Sequence, residues 1–262
     1  MRIPVVVVAS DFWDDYYQAV MEGVVLSRVP QARIVRFPLQ ERFNVVATAW
    51  ALMCSLDYFP RGSVFLVVVD PGVGTERKPI AMRFGHFFYV GPDNGIPCPL
   101  ARKADNNVEI VEIEPRNAIS TTFHGRDLFA PVAGEIAKKL LIQDPEDISL
   151  AEFGNEVSRL EKLEIKRVSL GECGIIAYID VFGNVITNIS GSILEGTHCE
   201  VSIGGQSFEM SFHCTFEEGE EDKPFIIKGS CDTFEIVRKQ GNAARVFPRI
   251  QVGSPVMIEV KS

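Results

Sequence analysis

The first half of the chain alternates apolar, β-branched runs with segments of helical period, and this alternation restricts the possible folds most. Val5–Val8 is a continuous apolar run, which is typical of a strand buried on both faces. From Tyr17 to Val25, apolar residues at i, i+3, i+4, i+7 and i+8 form one face of a helix. Further strands are predicted at 33–37, 64–69 and 87–90, and further helices at 46–56 and from 127 to about 141. Asn44 and Asp127 are the predicted N-caps. Strands that alternate with helices predict an α/β domain with a mostly parallel sheet.

From about residue 168 the pattern changes to short strand-like runs without a helical period. These runs are 174–179, 185–189, 201–203, 225–227, 234–237 and 256–260. Turn signals such as Gly204–Gly205 separate them, which predicts a small, all-β, antiparallel and barrel-like domain. We therefore predict an α/β domain at 1–150, a polar and acidic linker at 151–167, and a β domain at 168–262.

Composition excludes several classes of protein. A chain of 262 residues, 46% of them hydrophobic and 23% charged, can bury a large core and is not of disordered composition. The net charge is −9 and no basic stripe is visible, so we predict no nucleic-acid partner and a cationic or zwitterionic small substrate. The first apolar run is too short to cross a membrane, no signal peptide is evident, and the cysteines form no C-x-x-C pair. We therefore expect a cytoplasmic protein without a membrane partner.

Three aspartates follow predicted strands: Asp11 after the first, Asp70 after the third and Asp93 after the fourth. Open parallel sheets bind ligands just beyond the carboxyl ends of their strands. Aspartate also favours turns and helix caps, which is the alternative explanation for each residue alone. The three together predict one polar crevice.

The segment 70–77, DPGVGTER, looks like a phosphate-binding loop because of its glycines. It lacks the Gly-Lys-Ser/Thr ending, so a Walker motif is excluded. It is either a tight turn that uses the dihedral freedom of Gly72 and Gly74, or a loop that places Asp70 and Arg77 side by side.

The segment 122–127, TFHGRD, is the second dense polar motif, and it places His124 at a predicted junction of loop and helix. A lone histidine is more often structural than catalytic. We find no close-set His/Cys/carboxylate spacing, so we predict no metal site, and the absence of a G-x-S-x-G elbow excludes a serine hydrolase of that type.

The segment Asp180–Asn184 joins two predicted strands of the second half. Its Asp, Gly and Asn residues are typical of a hairpin turn. Phe182 and the later Phe216 either stack on a flat base or belong to the core.

Together these motifs resemble the S-adenosylmethionine (SAM) hydroxide adenosyltransferase family, whose relatives include the fluorinase and the chlorinase. The matching segments are 10–12, 21–24, 69–75 with Arg77, 91–95, 122–131, Asp180 with 182–184, 187–189, Ser230 with 235–236, and 241–244. They follow the family's order over most of the chain, which is more specific than any single glycine motif.

The resemblance implies a homotrimer that hydrolyses SAM to adenosine and methionine without a cofactor or metal. The substrate would lie between the α/β domain of one subunit and the β domain of its neighbour. Asp70, Arg77 and His124 would order the attacking water. The substrate-binding residues would be Asp11, Asp15, Tyr17, Phe43, Asn94, Asp180, Phe182, Asn184, Phe216, Ser230, Glu235 and Arg238. Of these, Asp11 would hold the ribose, Asp180 and Ser230 the methionine end, and Asn184, Phe216 and Arg238 the adenine.

The expected chemistry is in-line attack of water on C5′, because the sulfonium leaves as a neutral thioether. Either Asp70 or His124 would act as the base. One alternative is a halogenase, but a carboxylate at the attack position would repel a halide. Another is a module that binds SAM or adenosine without turnover. This chain departs from the family at Trp13, where a glycine is usual, and at Cys231–Asp232 after Ser230.

Overall fold

A computed structural model describes residues 2–12, 15–104, 107–115, 120 and 122–261. The chain divides into two compact units, Met1–Leu163 and Glu164–Ser262. Trp13, where the chain departs from the family pattern, lies outside the described residues.

Among the described residues, the first unit contains a mixed sheet of seven strands in the order β2-β1-β3-β5-β4-β6-β7. The strands are β1 (Val5–Ser10), β2 (Arg33–Phe37), β3 (Val64–Val68), β4 (Pro79–Phe84), β5 (Phe87–Pro92), β6 (Val108–Ile113) and β7 (Gly154–Glu156). β2, β1, β3 and β5 are parallel, as predicted, whereas β4, β6 and β7 pair antiparallel. Only Gly85 and His86 separate β4 from β5, and a connection this short permits only an antiparallel hairpin. The predicted α/β class is confirmed, with a mixed sheet.

This unit also contains helices, and two of them share a core with the parallel strands. In the described part the helices are α1 (Tyr16–Arg28), α2 (Val45–Ser55), α3 (Pro97–Lys103) and α4 (Ala130–Lys139), with short 3-10 helices at Leu56–Tyr58 and Pro145–Asp147. Met21 and Val25 of α1 and Ile136 of α4 are fully buried in one core with β1 and β3. Each such side chain contributes about 1.5–3 kcal/mol by leaving water. Across the described ranges, no helix has the length and apolarity needed to span a membrane.

The two predicted helix caps have different outcomes. Asn44 caps α2 as predicted, because its Oδ1 accepts a hydrogen bond from Ala47 N at 2.9 Å. Asp127 is not an N-cap, so that prediction is wrong. The chain becomes helical directly after His124, in a π-helical turn at Gly125–Phe129 that leads into α4. Asp127 therefore lies inside the turn.

The segment predicted as a linker begins inside the first unit. β7 lies within 151–167 and pairs with β6, and Phe153 is buried in the first core. The first part of this segment therefore belongs to the sheet.

The second unit is all β, as predicted. Among its described residues, a sheet of seven strands has the order β13-β12-β16-β9-β10-β15-β14, and a separate parallel pair joins β8 and β11. The strands are β8 (Val168–Ser169), β9 (Gly174–Ile179), β10 (Val185–Thr187), β11 (Ile189–Ser190), β12 (His198–Ile203), β13 (Gln206–Ser211), β14 (Pro224–Lys228), β15 (Phe234–Arg238) and β16 (Pro255–Val260), with a 3-10 helix at Ala244–Val246. Just beyond β13, Phe212 bridges to Ile226 of β14, which brings the two edges together. This near closure gives the predicted barrel-like form.

Candidate active site

The loop after β3 places Asp70 and Arg77 in direct contact. Arg77 Nε donates to Asp70 Oδ1 at 3.0 Å, and Arg77 Nη2 donates to Asp70 Oδ2. The Arg77 and Asp70 side chains are only 9% and 7% exposed, so the pair is largely shielded from water. Both interpretations of this loop hold: it forms a tight turn with Gly74 at a φ of 81°, and it places Asp70 and Arg77 side by side.

His124 is bound to the same guanidinium. Arg77 Nη2 lies 2.8 Å from His124 Nδ1. Arginine has donors only, so Nδ1 accepts this hydrogen bond, and the neutral ring carries its proton on Nε2. Burial lowers the pKa of His124, and the positive charge of Arg77 lowers it further. The imidazole is therefore neutral at pH 7.

The packing around His124 fixes this position. The buried ring of Phe129 lies edge-on to the imidazole, and the Arg77 guanidinium lies over the Phe129 ring, 5.6 Å from its centroid. Gly125 follows the histidine, and a Cβ on it would lie 2.6 Å from Met21 Sδ and 3.2 Å from Val68 Cγ1. Glycine at 125 thus lets the π-helical turn lie against α1 and β3.

Asp11 lies directly after β1 and is 5% exposed. Its Oδ2 accepts from the Phe43 amide at 3.2 Å. Burial raises the pKa of Asp11 and the Asp70 charge adds to this, whereas the Phe43 amide lowers it. Phe43 has a φ of 58°, an unusual conformation for a non-glycine residue, and its ring is 64% exposed. The strained backbone aims an amide at Asp11 while the ring faces outward.

These residues meet at a cavity of about 130 Å³. It is lined by Asp11, Phe12, Phe43, Val68, Asp70, Val73, Thr122, Phe123, His124 and Gly125. Arg77 does not line this cavity, but it donates hydrogen bonds to both Asp70 and His124, which do. Sequence reasoning did not assign Phe12, Thr122 or Phe123 to the site, although all three lie in the motifs that carry the family resemblance.

Tyr17 and Asp15 lie next to this cavity rather than in its lining. The Tyr17 ring is edge-on to Phe12 and Phe123, with centroids 5.8 and 5.0 Å apart. Asp15 precedes α1, is exposed, and makes no side-chain cap to it. Their assignment to the substrate remains a prediction.

Asp93 and Asn94 line a different cavity, of about 670 Å³, which Arg77 also borders. The Asp93 carboxylate accepts the Glu161 amide at 3.0 and 3.1 Å, and Asn94 Nδ2 donates to Val69 O at 2.8 Å. The prediction of one crevice is therefore correct for Asp11 and Asp70 and wrong for Asp93. The reason is that the Asp93 amide remains paired to Lys78 O beyond β4, which keeps this residue in the antiparallel hairpin.

In the second unit, Asp180–Asn184 forms the predicted hairpin turn between β9 and β10. Asp180 Oδ1 accepts from the amides of Phe182 and Asn184 at 2.9 and 2.8 Å, and Oδ2 accepts from Asn184 Nδ2 at 2.8 Å. Gly183 has a φ of +85° and lies against Asn242. The turn leaves Phe182 72% exposed, so its ring is available to a ligand.

Glu235 of β15 lies near this turn. Glu235 Oε1 lies against Gly229, where an added Cβ would be only 1.8 Å from it. Ser230 directly follows Gly229 in the sequence. Burial, with a further contribution from the Asp180 charge, raises the pKa of Glu235 to about 7. The Asp180 carboxylate is therefore near enough to disfavour a second negative charge on Glu235.

The predicted adenine contacts are partly exposed. Phe216 is 45% exposed and edge-on to Phe225. Arg238 Nη2 donates to Asp222 at 2.5 Å, whereas its buried Nε has no hydrogen-bond partner among the described residues. An unsatisfied buried donor fits a residue that awaits a ligand acceptor.

Comparison with protein families matches both halves of the chain. Residues 6–146 match the SAM hydroxide adenosyltransferase N-terminal domain, and residues 174–257 match the C-terminal domain. This chain belongs to the SAM hydroxide adenosyltransferase family.

Relatives and solved structures agree with this membership of the SAM hydroxide adenosyltransferases. The (R)-S-adenosyl-L-methionine hydrolase of Thermus thermophilus is 34% identical over 95% of this chain and 97% of its own. A protein of the same name from Methanocaldococcus jannaschii is 33% identical over 71% and 67%, and a fluorinase from Actinoplanes is 25% identical over 73% and 74%.

Crystal structures of an uncharacterized conserved protein from Thermotoga maritima and a conserved hypothetical protein from Thermus thermophilus are similar in fold. Their TM-scores are 0.84 and 0.76 at 30% and 32% identity, over 97% and 98% of this chain and 99% and 100% of theirs.

Proposed function

We propose that this chain hydrolyses SAM to adenosine and methionine. The observation that carries the proposal is the hydrogen-bonded set of Asp70, Arg77 and His124, which lies beside Asp11 at one cavity. The sulfonium makes C5′ electrophilic and departs as a neutral thioether, so the reaction needs an oriented water and no acid at the leaving group. The hydrolase names of the relatives support the same reaction.

Asp70 is the proposed acceptor of the water proton. His124 carries its proton on Nε2 and uses Nδ1 to accept from Arg77, so it can donate a hydrogen bond to the water but has no nitrogen left to take a proton. Each Asp70 oxygen accepts one hydrogen bond from Arg77 and keeps a lone-pair site for the water. A base in position contributes about 100- to 10,000-fold to the rate.

The charge of the cavity suits a sulfonium cation. Asp11 and Asp70 present carboxylates to it, whereas Arg77 does not line it. Arg77 offsets one of the two carboxylate charges, so a halide would still meet a net negative charge there, which favours hydrolysis over halogenation. The alternative is a module that binds SAM without turnover. Such a module would not need an oriented water, and so would not need Arg77 to hold His124 in one tautomer.

The rest of the substrate needs further residues. A cavity of about 130 Å³ is smaller than the roughly 300–1,000 Å³ of ordinary ligand sites. We assign the ribose to Asp11 and the ring of Phe43 to contact with the substrate. The remaining proposed residues are Asp180, Ser230 and Glu235 for the methionine end, and Phe182, Asn184, Phe216 and Arg238 for the adenine. The family resemblance supports their supply by a neighbouring subunit of a homotrimer.

We also propose a cytoplasmic location and no cofactor. Cys98 and Cys199 are buried thiols rather than half-cystines, which suits a reducing compartment.

The experiment is a product assay. Purified protein is incubated with SAM, and adenosine and methionine are quantified chromatographically. We expect equal amounts of both, turnover that survives chelation, and no 5′-chlorinated nucleoside in chloride buffer. The relatives' names contain both (R) and L. L specifies the configuration at the α-carbon of methionine, so we take (R) to specify the configuration at the sulfonium sulfur. Both sulfonium epimers should therefore be assayed, with faster turnover expected for (R). Loss of activity on chelation at saturating SAM, or a chlorinated product, would reject this function.

A further inference from the structure

A cluster of metal-ligating side chains lies in the second unit, apart from the residues assigned to the water. Glu195, His213 and Glu218 each offer a ligand atom, and these atoms all lie within 4.8 Å of one another. The closest pair is His213 Nδ1 and Glu195 Oε1, at 2.6 Å. Sequence spacing does not reveal the group, because Glu195 precedes His213 by 18 residues.

The β12–β13 hairpin brings these residues together. Beyond the paired strands, Gly196 N donates to Phe212 O at 2.9 Å and Phe212 N donates to Thr197 O at 2.8 Å. This extension of the ladder places Glu195 opposite His213. The Glu195–His213 pair therefore rests on backbone pairing and not on flexible side chains alone.

Each ligand is also held by a partner outside the group. Ser211 Oγ lies 2.8 Å from His213 Nε2, and a hydroxyl can accept from that nitrogen while Nδ1 binds a metal. Glu195 Oε2 accepts the Cys214 amide at 2.6 Å, and Glu218 Oε2 accepts the amide and hydroxyl of Thr215 at 3.0 Å. Metal-binding histidines and carboxylates in proteins have this kind of supporting hydrogen bond.

We propose that Glu195, His213 and Glu218 form a binding site for a divalent transition metal, with Zn²⁺ the best match. Zn²⁺ binds imidazole nitrogen and carboxylate oxygen, and zinc sites with three protein ligands hold water in the fourth position. The His213 ring is 15% exposed and edge-on to Phe225, so it is a rigid ligand, whereas Glu218 is exposed and gives the ion access. The metal would replace the hydrogen bond between His213 and Glu195.

The site has a consequence for Phe216, and this part rests on the proposed function. Phe216 lies between His213 and Glu218 in the chain, so a metal that joins these two residues would close a short loop around it. Because Phe216 is assigned to adenine, fixing the loop lowers the entropy lost on substrate binding. Zn²⁺ should therefore lower KM for SAM and leave kcat unchanged.

The test measures Zn²⁺ binding to the full-length, chelator-treated protein by competition with a chromogenic zinc indicator. We expect one equivalent per chain for the wild type and no detectable binding for His213→Ala. Glu218→Gln changes an exposed residue, so it keeps the fold and should weaken binding at least tenfold. Ser211→Ala should weaken binding about 10- to 100-fold, as losses of supporting hydrogen bonds do.

His198→Ala is the matched control. His198 Nδ1 also faces a glutamate, Glu209, at 3.4 Å on the same sheet, but Glu209 already pairs with Lys261. This variant should bind Zn²⁺ like the wild type. Equal Zn²⁺ binding by the wild type, His213→Ala and Glu218→Gln, or no binding by the wild type, would overturn the site.

The KM measurement separates the site from its consequence. A Zn²⁺-dependent fall in KM that is absent in Glu218→Gln supports the role of Phe216, and binding without any change in KM overturns that role alone. Normal Zn²⁺ binding by a protein that never hydrolyses SAM would reject the proposed function and keep the site.

Discussion

Replacing Glu235 with glutamine should stabilise the second unit at alkaline pH and have little effect at acidic pH. Burial raises the pKa of Glu235 from 4.5 to about 7, and the Asp180 charge contributes. This difference corresponds to at most about 3.4 kcal/mol of unfolding free energy, and we expect about 2 kcal/mol because the side chain is only partly buried.

The sign follows from proton binding. Below pH 4.5 both the folded and the unfolded chain keep the proton, so the carboxyl costs nothing. Between 4.5 and about 7 the unfolded chain ionises first, and the folded state loses stability as pH rises. Glutamine does not ionise in this range. The gain in unfolding free energy from Glu235→Gln should therefore grow between pH 4.5 and about 7 and stay constant above pH 7.

Calorimetry is the appropriate assay, because the sequence of the second unit, 164–262, contains no tryptophan whose fluorescence could report on its unfolding. For a unit of this size, about 2 kcal/mol corresponds to a Tm rise of roughly 8 °C or more. We expect this rise near pH 8.5 and almost none near pH 4, where both states keep the proton. The exposed Glu221→Gln is the control. An equal effect of Glu235→Gln at both pH values would refute the assigned cause.

Three further predictions concern the site and its packing. Asp70→Asn and His124→Ala should lower kcat about 100- to 10,000-fold while binding of SAM, measured by calorimetry, changes little; a defect mainly in binding would make these residues recognition groups. Mixed Asp70→Ala and Asn184→Ala subunits should regain activity after subunit exchange, and no recovery despite proven exchange would reject the shared site. Gly125→Ala should cost about 1–3 kcal/mol of unfolding free energy, because its Cβ would lie 2.6 Å from a methionine sulfur of α1. Gly23→Ala, with no atom within 4 Å of a new Cβ, should instead stabilise by up to about 1 kcal/mol in the same denaturation assay.

Much of the fold follows from local pattern. The buried strands β1 and β3, the apolar face of α1 and the Asn44 cap could be predicted, because burial and capping depend on residues within one or two turns. The hairpin at Asp180–Asn184 was predictable for the same reason. The strands β6 and β7 were not, because their place in the sheet depends on pairing with distant segments.

The sequence by itself determined the α/β and β units, the family and the candidate residues Asp70, Arg77 and His124. Only the tertiary structure decided how these residues meet. Arg77 and His124 are 47 positions apart, and Phe43 donates to Asp11 across 32. The tautomer of His124, the separation of Asp93 from the cavity and the Glu195–His213 pair likewise arise from strand pairing and packing. Hydrogen bonds act over about 3 Å, and chain spacing does not specify which distant groups folding brings within that distance.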